Sequence, residues 1–306
     1  MTNRPRLMID CDPGLDDALA ILTAAKYAQI EAITTVSGNV DCDKTTRNAL
    51  VMAQLAGFDA PVIRGADAPL AVPPVFADHV HGESGLEGPV LPELTRSIAG
   101  TDAVQAIIDM TGSGEVTLVA IGPLTNVALV IERDPSWAAS VEEIVLMGGS
   151  ITGGNVTAAA EFNFWADPHA ADIVFRSGAP IRMLGLNVTQ QVRMGGVHRD
   201  RLRNETTPTA VFAADLLEYY SGFALEHYGV ELGAMHDPCA VLAVTHPDLF
   251  VFEERRIDIE VAGELTRGMS IVDERPNGET PNVQVGISAD GEAIVELIMA
   301  AAINPR

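Results

Sequence analysis

Ile9-Asp10-Cys11-Asp12-Pro13-Gly14-Leu15-Asp16-Asp17-Ala18 is the stretch on which the reading of this chain turns. The apolar run Leu7-Met8-Ile9 enters it and a helix-like apolar segment, 18–27, leaves it. Four carboxylates in eight residues therefore stand where a strand gives way to a helix. Asp10 and Asp12, two apart, project from the same side of the strand end. Pro13 and Gly14 turn the chain, and Asp16 and Asp17 fall at the helix start, where one can cap it and both gain from its positive end. A lone Asp in such a place is ordinarily a cap. Four together repel one another, so they either raise their pKa values or bind a cation. Lys26, the nearest basic residue downstream, is too far along the helix to neutralise them all. An all-oxygen set favours a hard ion, Ca²⁺ or Mg²⁺, over zinc.

The strand-then-helix rhythm continues outward from this point. Residues 30–36 are strand-like and end at Ser37-Gly38-Asn39, and 44–56 carry helical periodicity up to Gly57, a helix terminator. Short apolar runs recur at 61–65, 116–122, 144–149 and 181–186, most leading into helix-like stretches such as 124–132 and 168–176. The alternation predicts an α/β fold: an open, mainly parallel, Rossmann-like sheet with helices on both faces. Near-continuous apolar strands fit burial on both sides. Beyond residue 200 a long helix, 208–228, precedes Ala234-Met235-His236-Asp237-Pro238. Segments 256–261, 268–272 and 282–287 read as a few added C-terminal strands, and 291–302 as a closing helix. With no internal repeat and no low-complexity linker, 1–306 reads as a single domain. The Pro-rich stretch 69–92 is a long loop, and loops of that length are often functional. Asn39, Thr125-Asn126, Met147 and Asn187 recur at strand ends. Open α/β sheets bind ligands beyond the carboxyl ends of their strands, which predicts one shared crevice.

Composition narrows the function class. At 47% hydrophobic and 20% charged residues, a chain of 306 buries a sizeable core. A net charge of −23 argues against nucleic-acid and anionic-membrane partners. No apolar run reaches the length of a membrane span, and the first six residues lead straight into a strand with no room for a signal-peptide core. Cys11, Cys42 and Cys239, an odd number without CxxC spacing, read as reduced thiols of a cytoplasmic protein.

Further blocks stand at Val36-Ser37-Gly38-Asn39, His79-Val80-His81-Gly82-Glu83-Ser84-Gly85, Gly122-Pro123-Leu124-Thr125-Asn126 and Val145-Leu146-Met147-Gly148-Gly149. Two more are Ala160-Glu161-Phe162-Asn163 and His236-Asp237-Pro238-Cys239-Ala240. In this order and spacing, with the aspartate stretch, they resemble the inosine-uridine-preferring nucleoside hydrolases over nearly the whole chain. The resemblance implies Ca²⁺-dependent hydrolysis of the N-glycosidic bond of purine and/or pyrimidine ribonucleosides, releasing ribose and free base. It implies a Ca²⁺ site formed by Asp12, Asp17, the main-chain carbonyl of Thr125, and Asp237. Asp12 is then also the base that activates the attacking water. Asp16, Asn39, Asn155, Glu161 and Asn163 hold the ribose hydroxyls, Met147 lies alongside the sugar, and Asp10 supports the cluster from behind. His236 assists the leaving base, with His81 and Phe162 near it. A homodimer or homotetramer working in nucleoside salvage follows from the same resemblance.

The chemistry calls for these parts. Breaking an N-glycosidic bond puts positive charge on the sugar, and a carboxylate-lined pocket stabilises it. A metal and a carboxylate turn water into a competent nucleophile, and a histidine suits the leaving base. A crevice with no basic residue in its motifs favours a neutral nucleoside over a nucleotide. The segment 219–235, with Tyr219, Tyr220, Phe223, His227 and Tyr228, reads either as a helix burying aromatics or as a flap over the base. Two other functions compete. A haloacid-dehalogenase-type phosphohydrolase also places Asp-x-Asp after its first strand, but has a Thr or Val where Gly14 stands, and its acidic pair comes later. A catalytically silent nucleoside- or calcium-binding protein keeps the same fold.

Overall fold

A computed structural model describes residues 4–306, apart from the side chain of Tyr228. Residues 1–3 of the N-terminal stretch read above lie outside the described residues. The strands are β1 (Arg6–Cys11), β2 (Gln29–Thr35), β3 (Val62–Arg64), β4 (Thr117–Ala120), β5 (Ile144–Met147), β6 (Ile181–Leu184), β7 (Arg193–Gly195), β8 (Leu232–Ala234), β9 (Phe250–Ile259), β10 (Ser270–Asp273) and β11 (Val283–Ala289). The helices are α1 (Leu15–Tyr27), α2 (Cys42–Ala56), α3 (Asp78–His81), α4 (Ala103–Thr111), α5 (Thr125–Arg133), α6 (Phe162–Ala166), α7 (Pro168–Arg176), α8 (Leu186–Thr189), α9 (Gly196–Arg203), α10 (Pro208–Tyr228), α11 (Asp237–Thr245) and α12 (Gly291–Ile303).

The main sheet has the order β10-β9-β11-β6-β5-β4-β1-β2-β3. From β3 through β6 to β11 every pairing is parallel, and only the two pairings of β9, to β11 and to β10, are antiparallel, at one edge. The expected open, mainly parallel sheet with added C-terminal strands is the fold observed. Side-chain alternation along each strand divides the core in two. Leu7, Ile9, Val119 and Val145 pack on the face covered by α1, α2, α11 and α12. Met8, Leu118, Ile144 and Leu146 pack on the opposite face, against α4, α5 and α7. Burial on both sides is why these strands read as unbroken apolar runs. Gly57 ends α2 as expected, in the left-handed conformation at φ 70°.

Two details depart from the sequence reading. The first added strand begins at Phe250 and runs ten residues, earlier than the apolar pattern from 256. The antiparallel pair β7–β8, outside the main sheet, was not foreseen; strands of three residues are too short to show periodicity.

Candidate active site

From β1 the chain moves outward to β2 and β3, then crosses back to β4 on the other side of β1. The carboxyl ends of β1 and β4 are thus the point where strand order reverses, the position at which such sheets open a crevice. The aspartate stretch occupies it.

Asp10, buried at the end of β1, accepts hydrogen bonds at Oδ1 from Thr34 Oγ1 (2.6 Å) and Asn126 Nδ2 (2.7 Å). Asn126 also donates to Thr35 O (3.0 Å) and accepts from Ala66 N (2.9 Å), tying β1, β2 and the loop after β3 together behind the cluster. Burial raises the Asp10 pKa to about 6 despite these bonds. Asp12 Oδ2 accepts from Asn39 N (2.7 Å), whereas its Oδ1 is buried with no hydrogen-bond partner among the described residues. Two glycines leave room for this carboxylate. A Cβ on Gly38 would stand 2.1 Å from Oδ2, and one on Gly122 2.5 Å from Oδ1.

Asp17, in the first turn of α1, accepts from Asp12 N (3.2 Å), Gly14 N (3.0 Å) and Asn39 Nδ2 (3.1 Å). The bond from Gly14 N caps the start of α1 from within the helix, Gly14 having no side chain to cap it in return. Asp237 opens α11, and carboxylate oxygens of Asp16, Asp17 and Asp237 lie within 4.8 Å of one another. Burial, then neighbouring negative charge, raises Asp12 and Asp237 well above the carboxylate range and Asp17 to about 7. Buried carboxyls this close share either protons or a cation. The acidic cluster can therefore coordinate a metal ion. Asp16, rather than Asp12, completes the tightest triad. Asp12 adds the orphaned oxygen beside it, a polar atom whose burial is costly unless something binds it. The Thr125 hydroxyl donates to Asp167 Oδ2 (2.8 Å), at the start of α7.

Above the carboxylates opens a cavity of about 470 Å³. Asp16, Asn39, His81, Met147, Asn155, Glu161, Phe162, Asn163, His236 and Asp237 line it, drawn from positions spread over more than two hundred residues of chain. Asp10, Asp12, Asp17 and Thr125 are not among the residues lining it, and all four are buried. Asn163 Nδ2 donates to Ile121 O (3.0 Å) and Met147 O (3.1 Å), anchoring α6 to the ends of β4 and β5. Glu161 accepts from the amides of Gly149, Asn163 and Phe164, yet burial still raises it to about 7. Asn155 Oδ1 accepts from Phe162 N (3.0 Å). His81 Nδ1 accepts from Leu15 N (3.1 Å), so its neutral ring carries the proton on Nε2; burial lowers its pKa to about 4. His236 Nδ1 contacts Thr189 Oγ1 (2.7 Å), and burial lowers this histidine too.

Some expectations shift. Asn187, at a strand end like the others, donates to Gly286 O and does not line the cavity; with Asn126 it belongs to the frame. The long loop 69–92 contributes its short helix α3, which brings His79, Val80 and His81 to the cavity. In the segment 219–235 Tyr219 packs against the core, while Tyr220, Phe223, Ala224, Val230 and Leu232 line the cavity. Arg193 and Gln190 also line it, and nothing in the sequence had marked them. The motifs contain no basic residue, but the cavity does.

A model of the family described as inosine-uridine preferring nucleoside hydrolase matches residues 7–296. The chain belongs to that family. As a nucleoside hydrolase it is an enzyme that hydrolyses the glycosidic bond of ribonucleosides, and the dehalogenase-type alternative falls away. The pyrimidine-specific ribonucleoside hydrolase RihA of Enterobacter sp. is 40% identical over 299 residues, covering 95% of this chain and 96% of that one. A purine-preferring ribonucleoside hydrolase from Gardnerella vaginalis superposes with a TM-score of 0.92 at 31% identity, covering 98% of each chain. A plant nucleoside hydrolase superposes at 0.88 with 32% identity, over 98% of this chain and 99% of the other. Among the described residues, no helix is long and apolar enough to cross a membrane. All three cysteines are buried free thiols.

Proposed function

We propose that this nucleoside hydrolase is Ca²⁺-dependent and acts first on pyrimidine ribonucleosides, with Asp12 as the base and His236 beside the departing nucleobase. The observation that carries the reading is the orphaned, buried Asp12 Oδ1 next to the Asp16–Asp17–Asp237 triad, below a cavity of nucleoside size. The pyrimidine preference is supported by the RihA relative.

When bound, Ca²⁺ held by Asp12, Asp17, Asp237 and the Thr125 carbonyl would lower the pKa of water and position the sugar. Asp16, Asn39, Asn155, Glu161 and Asn163 hold the ribose hydroxyls, Met147 lies along the sugar, and Asp10 steadies the cluster from behind. Asp12 Oδ1 takes a proton from the attacking water as the oxygen bonds to C1′. The C1′–N bond breaks with its electron pair passing to the base. Positive charge on the sugar is met by the surrounding carboxylates. His81 offers an Nε2–H, and His236, neutral at pH 7, assists the base as a hydrogen-bond donor beside Phe162. A homodimer or homotetramer working in nucleoside salvage rests on the family resemblance, and a cytoplasmic location on the three free thiols.

The test is ribose release from inosine, uridine, cytidine, adenosine and guanosine, with and without calcium chelation. Release from uridine and cytidine that chelation abolishes and Ca²⁺ restores supports the proposal. Release indifferent to chelation removes the metal. Binding without release revives the silent binding protein.

A further inference from the structure

Among the described residues lining the cavity, Arg193 is the one permanent cation, in a chain with 42 acidic residues against 19 Lys and Arg. It stands on β7, where its register partner is Ala234 of β8. Val192 O accepts from Met235 N (2.9 Å), and Thr189 meets His236. The 189–193 turn is thus braced against the 234–236 strand end, which places Arg193 beside His236. Its Nε donates to Gln190 O (2.9 Å). Among the described residues, no carboxylate forms an ion pair with it, whereas Arg199, six residues on, touches three. Among the described residues the guanidinium makes one hydrogen bond, to that Gln190 backbone oxygen.

The lining comes from two parts of the fold: Asp16, Asn39, Glu161 and Asn163 stand on α1, α6 and the loops after the main-sheet strands, and Arg193, Gln190, Phe223, Val230 and Leu232 on β7–β8, α10 and the turns beside them. With the ribose hydroxyls held by the first group, as proposed above, the base meets the second. This rests on the hydrolase reading above.

We infer that Arg193 is a specificity-determining residue that recognises a carbonyl on the far edge of the nucleobase and stabilises the negative charge the base acquires on leaving. A guanidinium donates and cannot accept. It pairs with the 4-carbonyl of uracil or the 6-carbonyl of hypoxanthine, and opposes the amino group at the same position in cytosine or adenine. As the C1′–N bond breaks, the electron pair delocalises onto that carbonyl and strengthens the bond to Arg193. The base then takes its proton from solvent. Neither histidine supplies a fixed charge there; Arg193 does.

The experiment is steady-state hydrolysis of uridine and cytidine by the wild-type enzyme, Arg193→Gln and Arg193→Lys, with thermal melting as a check on folding. A hydrogen bond to a charged group predicts a loss of roughly 10- to 100-fold in kcat/KM for uridine with Arg193→Gln, mostly in kcat. The loss for cytidine is several-fold smaller, and Arg193→Lys retains part of the uridine rate. An unchanged uridine-to-cytidine ratio, or equal losses on both, overturns the role of Arg193. Failure of the wild-type enzyme to release ribose from either overturns the underlying reading instead, so the two failures are distinguishable. Arg193 is exposed, and its replacement leaves the core untouched.

Discussion

Gly122→Ala is a single methyl group aimed at the proposed base. The alanine Cβ would lie 2.5 Å from Asp12 Oδ1 and 3.0 Å from Val36 Cγ1, where ordinary contact begins at 3.4 Å. The carboxylate must therefore retreat by about 0.9 Å, a distance set by van der Waals repulsion. It has little room to do so. Its other oxygen accepts from Asn39 N at 2.7 Å, and Gly38 closes that side. Gly122 does not have a positive φ, so alanine brings no backbone strain, and the whole effect is steric. Overpacking of this kind costs about 1–3 kcal/mol of stability. The larger effect is on catalysis, since a misplacement of about 1 Å in a catalytic group lowers rate by roughly 100-fold. The assay is kcat/KM for uridine beside a thermal melt. Gly222→Ala is the control, because its Cβ meets nothing within 4 Å and the site lies inside α10. It should gain about 1 kcal/mol in stability and keep its kinetics. A folded Gly122→Ala enzyme within about threefold of wild type would refute the reasoning, because Asp12 would then tolerate displacement or not act.

Two further outcomes follow from the buried ionisable groups. Asp10 and Asp17, raised to about 6 and about 7, bind protons more tightly in the folded than in the unfolded chain. Their contribution to stability is present below the unfolded pKa, about 4, and is lost as pH rises through the folded values. A divalent cation bound as proposed would take the place of the proton on Asp17, so the gain in melting temperature on adding Ca²⁺ should widen from pH 5 to pH 8; a constant gain contradicts metal binding by this cluster. His236→Ala should slow uridine and inosine cleavage much more than cleavage of a nitrophenyl riboside, whose leaving group needs little help, and equal losses would remove His236 from leaving-group assistance.

The local part of this site was legible in the sequence because it is continuous. Four aspartates in eight residues, with Pro13 and Gly14 between them, state a strand end, a turn and a helix start, and like-charge repulsion states that the group must take up protons or a cation. The parallel sheet was legible too, since strands buried on both faces must be apolar throughout. Tertiary structure alone decided the rest. Asp237 joins Asp16 and Asp17 only because α11 begins where the β1–α1 turn ends in space. Asn126 and Asn187 look alike beside Asn39, yet hydrogen bonds to Asp10 and to Gly286 draw them into the frame. Arg193 gave no signal, because a three-residue strand has no period and an isolated arginine has no motif. Its place on the cavity wall comes from pairing with a strand some forty residues away, a contact that no local pattern encodes.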